Sequence, residues 1–205
     1  MTEQNAVLSE EGLQSWTELV TKGITHAISG LSEMVGQELI LSSFRAQRMQ
    51  IKEAAELLGG PEARTAAIYL SISGAATGHM VIVYSPTTAY GLIDMLMGNP
   101  PGTTTELGEM ETSALGEMGN IVGSFFLNAL ADETGLALRV SPPAVMMDMA
   151  GAILDSILAE MMMDADEILM VETTFGTADN QISGTFVAMP SAAMQNALIQ
   201  GWNAS

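Results

Sequence analysis

Cysteine is absent from the 205 residues, so disulfides, thiolate metal ligands and cysteine nucleophiles are all excluded. Basic side chains are almost as scarce: six lysines and arginines stand against 24 aspartates and glutamates, for a formal net charge of -18. Such a balance repels phosphate backbones and anionic lipid, so neither nucleic acid nor a membrane is expected as partner. A partner presenting a lysine or arginine suits it. No stretch approaches about 18 uninterrupted apolar residues, and Met1-Thr-Glu-Gln-Asn lacks a basic region followed by an apolar run. The expected compartment is therefore the cytoplasm. His26 and His79 have no second histidine or carboxylate at ligand spacing, and both read as structural. Asp148, Asp155, Asp164 and Asp166 lack EF-hand spacing and read as a solvated helix face. No metal site is expected.

What the chain does have is methionine, 17 in all, with runs at Met146-Met147 and Met161-Met162-Met163. Thioether side chains fill irregular cores, and that is the role expected here. A small-molecule site on the methionine-rich segment 147–163 is the weaker alternative, because nothing polar converges there.

Ser9 followed by Glu10 and Glu11 has the form of a helix start. Trp16, Leu19, Val20, Ile24, Ile28, Leu31 and Val35 then recur at helical spacing until Gly36, which predicts a long helix over about 9–35. Leu39-Ile-Leu41 reads as a short buried strand and Phe44 to Gln50 as loop, before a short helix at about 51–58. An alternating run, Ala66–Ser73, turns at Gly74-Ala-Ala-Thr into Gly78–Tyr84 and predicts a hairpin, and Pro86 opens a helix that Gly98 ends.

Asn99-Pro-Pro-Gly-Thr-Thr-Thr breaks the chain into two similar halves. A shift of 99 residues superposes Glu10 on Glu109, Glu18 on Glu117, Leu31 on Leu130, Gly36 on Gly135 and Ser42 on Ser141. The second half then predicts a long helix, a strand at about 137–142, a helix at about 147–163, a hairpin of Glu167–Phe175 with Ile182–Met189, and a terminal helix opened by Pro190. Trp16 and Trp202 fall in apolar helical stripes and read as packing residues. Hairpins rather than crossovers join the later strands, which gives an α+β fold: a six-stranded, mostly antiparallel sheet with two long helices and shorter ones packed on it. The expectation is one pseudo-twofold duplicated domain over 1–205, with repeats at about 5–98 and 104–202, for which a monomer is sufficient.

The centre of the second long helix reads Ser113-Ala-Leu-Gly-Glu-Met-Gly-Asn120-Ile-Val-Gly. At 100° per residue, Ser113, Glu117, Asn120 and Ser124 share a sector roughly 60° wide, with Glu106, Glu109 and Asn128 at its margins. Leu115, Met118, Val122, Phe126 and Ala129 lie opposite, with Phe125 beside them, as a face that buries against a sheet. Gly116, Gly119 and Gly123 form a third strip; each costs about 1 kcal/mol relative to alanine, so a close approach by a second helix or a partner backbone is expected there. Glu117 and Asn120 set an anionic acceptor beside an amide one turn away. Such a pair can receive a lysine while the amide orients water, the positioning work phosphoryl hydrolysis needs. A solvated helix face would present the same two residues with no function.

The pattern Ser113-xxx-Glu117-xx-Asn120, followed by Pro143, resembles the signature of the CheC, CheX and FliY family of phosphatases, which act on phosphorylated response regulators. Gly30-Leu-Ser-Glu-Met-Val-Gly36 and Glu56-Leu-Leu-Gly-Gly-Pro61 are similar to CheC framework segments, so the likeness spans nearly the whole chain. The resemblance implies that Glu117 pairs with the lysine of a CheY-like receiver domain and that Asn120 aligns a water with its aspartyl-phosphate. Ser113 and Pro143 would support the site. Magnesium would sit in the receiver, and the chain would carry no cofactor of its own.

In this family the signature commonly occurs in each half. Here the first-half equivalents of Ser113, Glu117, Asn120 and Pro143 are Gln14, Glu18, Thr21 and Phe44, so only the glutamate remains. A hydroxyl lacks the reach and the paired donor and acceptor of an amide, and the first site, Glu18 with Thr21, reads as degenerate. The resemblance leaves an alternative function: a non-catalytic adaptor that docks on phosphorylated CheY, on a CheD-like deamidase or on the flagellar switch. A flagellar switch protein proper is not expected, since no appended switch domain is visible.

Overall fold

Gly36 (φ 65°) and Gly135 (φ 68°) adopt the left-handed conformation that ends a helix, and each closes a helix of 26 residues. The computed structural model describes residues 10–161, 167–177 and 181–190. The two long helices are α1 (Glu10–Val35) and α4 (Glu109–Thr134), which begin and end 99 residues apart. Between and after them lie β1 (Ile40–Gln50), α2 (Ile51–Leu57), β2 (Arg64–Gly74), β3 (Gly78–Tyr84), α3 (Pro86–Met97), β4 (Leu138–Val140), β5 (Ala144–Met149), α5 (Ala150–Met161), β6 (Glu167–Gly176) and β7 (Gln181–Pro190). The terminal helix expected after Pro190, and Trp202 with it, lie outside the described residues, as do Asp164 and Asp166.

Among the described residues all the strand pairs are antiparallel, in the order β1-β6-β7-β3-β2, with β4 and β5 end to end along the outer edge of β2. Seven strand segments therefore fill six positions. Each half supplies a central hairpin, and each half's first strand crosses to the edge of the other half's hairpin: β1 lies on β6, and β4 with β5 on β2. Both halves share one sheet, and neither completes its own.

Two expectations are corrected. Phe44–Gln50 is not loop, because β1 runs through to Gln50 in register with Glu167. The register slips between Leu41 and Ser43, and that bulge breaks the period-2 alternation by which a strand is recognised. Met147–Met149 is not the start of a helix either, because β5 pairs with Arg64–Tyr69 of β2 before α5 begins at Ala150. Val145 and Met147 pack toward one face of the sheet and Met146 toward the other, so methionine here serves as strand filler on both sides. Asp148 accordingly stands in a strand, exposed, with its carboxylate accepting from the Met149 N–H at 2.7 Å.

The sheet carries apolar residues on both faces. Ile68, Leu70, Met80 and Ile82 form the larger core with Leu19 and Val20 of α1, Leu92 and Ile93 of α3, and Leu115, Met118 and Phe126 of α4. Ala67, Val81 and Val83 form the smaller one with Ala54 of α2 and Ile153, Leu154 and Ile157 of α5. Phe126 meets Phe186 of β7 with ring centroids 4.8 Å apart. No described helix is long and apolar enough to cross a membrane.

Candidate functional site

The glycine strip of α4 turns out to face the sheet rather than a second helix or a partner. A Cβ at Gly119 would collide with Ile68 Cγ2, and one at Gly123 would stand 3.1 Å from Leu70 Cδ2 and 3.3 Å from Val140 Cγ2. Part of the apolar face instead meets α1. There Phe126 lies 2.6 Å from where a Cβ of Gly23 would be, and Phe125 occupies the place of a Cβ on Gly30. With the sheet on one flank and α1 on another, the remaining sector of α4 faces out. It carries the polar stripe.

Along that stripe Ser113 and Glu117 are exposed, and Asn120 and Ser124 are half-buried. Among the described residues, no hydrogen bond ties the Glu117 carboxylate or the Asn120 amide to another group of the chain. Pro143 is brought alongside: its Cγ lies 3.8 Å from the position of a Cβ on Gly116, the residue before Glu117. Two hydrogen bonds that sequence reasoning missed hold its loop in place. Ser141 N–H donates to the Ser71 carbonyl at 2.9 Å, and the Ser141 hydroxyl accepts from Ser71 N–H at 3.0 Å. The loop interrupts the edge strand between β4 and β5, so a proline that cannot donate to a ladder sits where no ladder is needed.

A second device sets the start of α4. Asp94, in the last turns of α3, is buried, and its carboxylate accepts from the backbone N–H groups of Gly102, Thr103 and Thr104 and from the Thr104 hydroxyl, at 2.7–3.0 Å. The Thr104 hydroxyl first, then the three amides, hold its pKa below the ordinary carboxylate value against the desolvation that opposes them. The linker between the halves is thus pinned to α3 four residues before Gly108, whose N–H donates to Glu111 at 3.1 Å to cap the helix. The visible signal was a lone carboxylate within the apolar run Leu92-Ile-Asp-Met-Leu96.

The matching face of α1 is built differently. Gln14 Nε2 donates to Glu18 Oε1 at 3.3 Å, and the Thr21 hydroxyl donates back to the Thr17 carbonyl at 2.7 Å. The groups that replace the amide and its neighbours are occupied within their own helix. Of the histidines, His26 is exposed on α1, and His79 Nδ1 lies 2.7 Å from the Tyr69 hydroxyl. Among the described residues no three His, Asp or Glu side chains converge into a metal-holding cluster. A separate concavity of about 470 Å³, lined by Arg64, Thr65, Ser85, Glu172, Thr173 and Thr185 among others, contains none of the candidate site residues Ser113, Glu117, Asn120, Pro143, Glu18 and Thr21.

A family model described as the CheC-like family matches residues 110–147, the span from the start of α4 into β5. Over 176 residues, 85% of this chain and 84% of the relative, the sequence is 31% identical to the CheY-P phosphatase CheC of Bacillus subtilis. FliY from Thermotoga maritima superposes with a TM-score of 0.75 at 18% identity, covering 97% of this chain and 98% of that one. A chain of the FliG-FliM complex from H. pylori gives 0.68 at 16% identity, over 93% and 99%. At those identities the two structures speak for the fold alone.

Proposed function

The chain belongs to the CheC-like family, and from that premise we propose that it is a phosphatase hydrolysing the aspartyl-phosphate of a CheY-like response regulator. The observation that carries this reading is the outward pairing of Glu117 and Asn120 on α4, one turn apart and untied among the described residues, with Pro143 beside them. The relative of 31% identity bears the name CheY-P phosphatase, which points to the same substrate.

In this mechanism α4 docks on the receiver domain and Glu117 accepts the receiver's lysine, fixing the orientation of the complex. Asn120 enters the phosphorylation pocket, where its amide carbonyl accepts from a water and its NH₂ group steadies the same site. The water oxygen bonds to phosphorus as the bond from phosphorus to the aspartyl oxygen breaks. The regulator recovers its carboxylate and the phosphoryl group leaves as inorganic phosphate. The protein supplies no nucleophile. Magnesium belongs to the receiver, and the chain needs no cofactor of its own. Ser113 and Pro143 are positioning residues. Glu18 and Thr21 mark a degenerate first site, with Thr21 already committed to Thr17.

The second reading is a non-catalytic adaptor that holds the phosphorylated regulator, a CheD-like deamidase or a switch protein. It is favoured by one observation, that the same fold occurs in a chain of the FliG-FliM complex. Time courses of a phosphorylated CheY-like regulator, with wild type and with Asn120→Ala, separate the two. Loss of one well-placed amide lowers the rate by on the order of 10² if it orients the water. Equal decay with both proteins leaves only the adaptor.

A further inference from the structure

Resting on the regulator assigned above, we infer that Met110, Ile121 and Phe125 form an apolar docking rim that seats the receiver domain on α4, and that the matching face of α1 does not dock. At 100° per residue, Ile121 lies about 20° from Met110 and Phe125 about 60°, while Glu117 lies about 20° to the other side. The rim therefore runs beside the catalytic stripe on the flank toward α1. Met110 is 69% exposed and Phe125 36% exposed, and Ile121 is half-buried. At 1.5 Å per residue, the rim spans about 22 Å from Met110 to Phe125.

That length and shape select the partner. The stripe and its rim stand on a convex helix face, so Asn120 can reach a phosphoryl group only where a macromolecule supplies the pocket. A span of about 22 Å suits a patch on a folded domain and is far longer than a free acyl phosphate. The glutamates on the face, Glu109 and Glu117, are both exposed and call for a cation on the partner, which the receiver's lysine provides.

The 99-residue shift gives an internal control. It places Glu11, Lys22 and His26 where α4 has Met110, Ile121 and Phe125. The first-half face has kept a glutamate at Glu18 but lost the amide and every member of the rim. A receiver surface shaped to cover three apolar side chains meets polar residue types at all three places instead. One receiver per chain is the consequence.

Calorimetric titration of the full chain with a CheY-like receiver loaded with beryllofluoride, a non-hydrolysable stand-in for the phosphoryl group, tests this. The expected result is one site per chain, with Kd weakened about tenfold or more by Met110→Glu and by Ile121→Lys; with the phosphorylated receiver in place of the beryllofluoride form, the loss of kcat/KM in both variants enters through KM. Two sites per chain, no binding by wild type, or wild-type Kd in both variants overturns the rim. If one site binds and both variants weaken it while wild type leaves the phosphoryl lifetime unchanged, the rim stands and the phosphatase falls. If wild type shortens that lifetime and both variants bind normally, the phosphatase stands and the rim falls.

Discussion

Ile68 of β2 fills the space where Gly119 of α4 would carry a side chain. The helix can lie that close to the sheet only because the residue preceding Asn120 has no Cβ. Gly119→Ala is therefore expected to push α4 off β2 at the site itself, costing about 1–3 kcal/mol as an overpacked core does. Gly91→Ala in α3, where a Cβ meets nothing within 4 Å, should leave stability unchanged or raise it by up to about 1 kcal/mol. Thermal unfolding of the two variants measures the contrast. Equal shifts in both would mean that the Ile68 contact does not hold α4 in place.

Asp94 makes stability depend on pH with a definite sign. Its folded pKa lies below the unfolded value, so its contribution is fully present above about 3.9. It is lost as pH falls through the lower folded value. Wild type should lose Tm on acidification below about pH 4 more steeply than Asp94→Asn. At neutral pH the variant, whose amide sets an N–H donor among the four donors that served Asp94, should melt lower. Parallel Tm profiles would remove the carboxylate from this role.

Thr21→Asn restores the missing amide type to the first face without its surroundings. Since Glu11, Lys22 and His26 remain, no gain in regulator dephosphorylation is expected, and Asn120→Ala with Thr21→Asn should be as slow as Asn120→Ala alone. Recovered turnover in the double variant would show that the first face docks after all.

Ser141→Ala removes the acceptor that Ser71 N–H uses, at a cost of about 1 kcal/mol. Because that bond holds the loop bearing Pro143 beside Gly116, dephosphorylation should slow by less than in Asn120→Ala. Unaltered kinetics with lowered Tm would confine Ser141 to stability.

Much of this architecture was legible in the sequence because the signals were local. Gly36 and Gly135 ended the long helices, Pro86 opened α3, where the structure adds the Ser85 hydroxyl accepting from Thr88 N–H, and the alternation in Ala66–Ser73, with the run Gly78–Tyr84 after it, made a hairpin. The shared sector of Ser113, Glu117 and Asn120, the first two exposed and the third half-buried, followed from helical pitch. What stayed hidden depended on partners distant in the chain. The bulge after Leu41 scrambled the period of β1, and the methionines of β5 gave no strand signal because both faces of that strand are covered. The glycines of α4 announced a close approach, but not that Ile68 and Leu70 would be the ones to approach. Phe125 was placed with the buried face, yet it covers Gly30 from a position still open to solvent.

The exchange of first strands between halves has a consequence for biosynthesis. Ile40 waits for Gly176 and Gln50 for Glu167, so well over a hundred residues must be translated before β1 finds its neighbour. At 5–20 residues per second that delay is on the order of 10 s. For that interval the segment of β1 is without its partner strand, and the exposed Arg45, one of the chain's few cations, is the kind of edge charge that disfavours annealing to a sister chain on the same polysome.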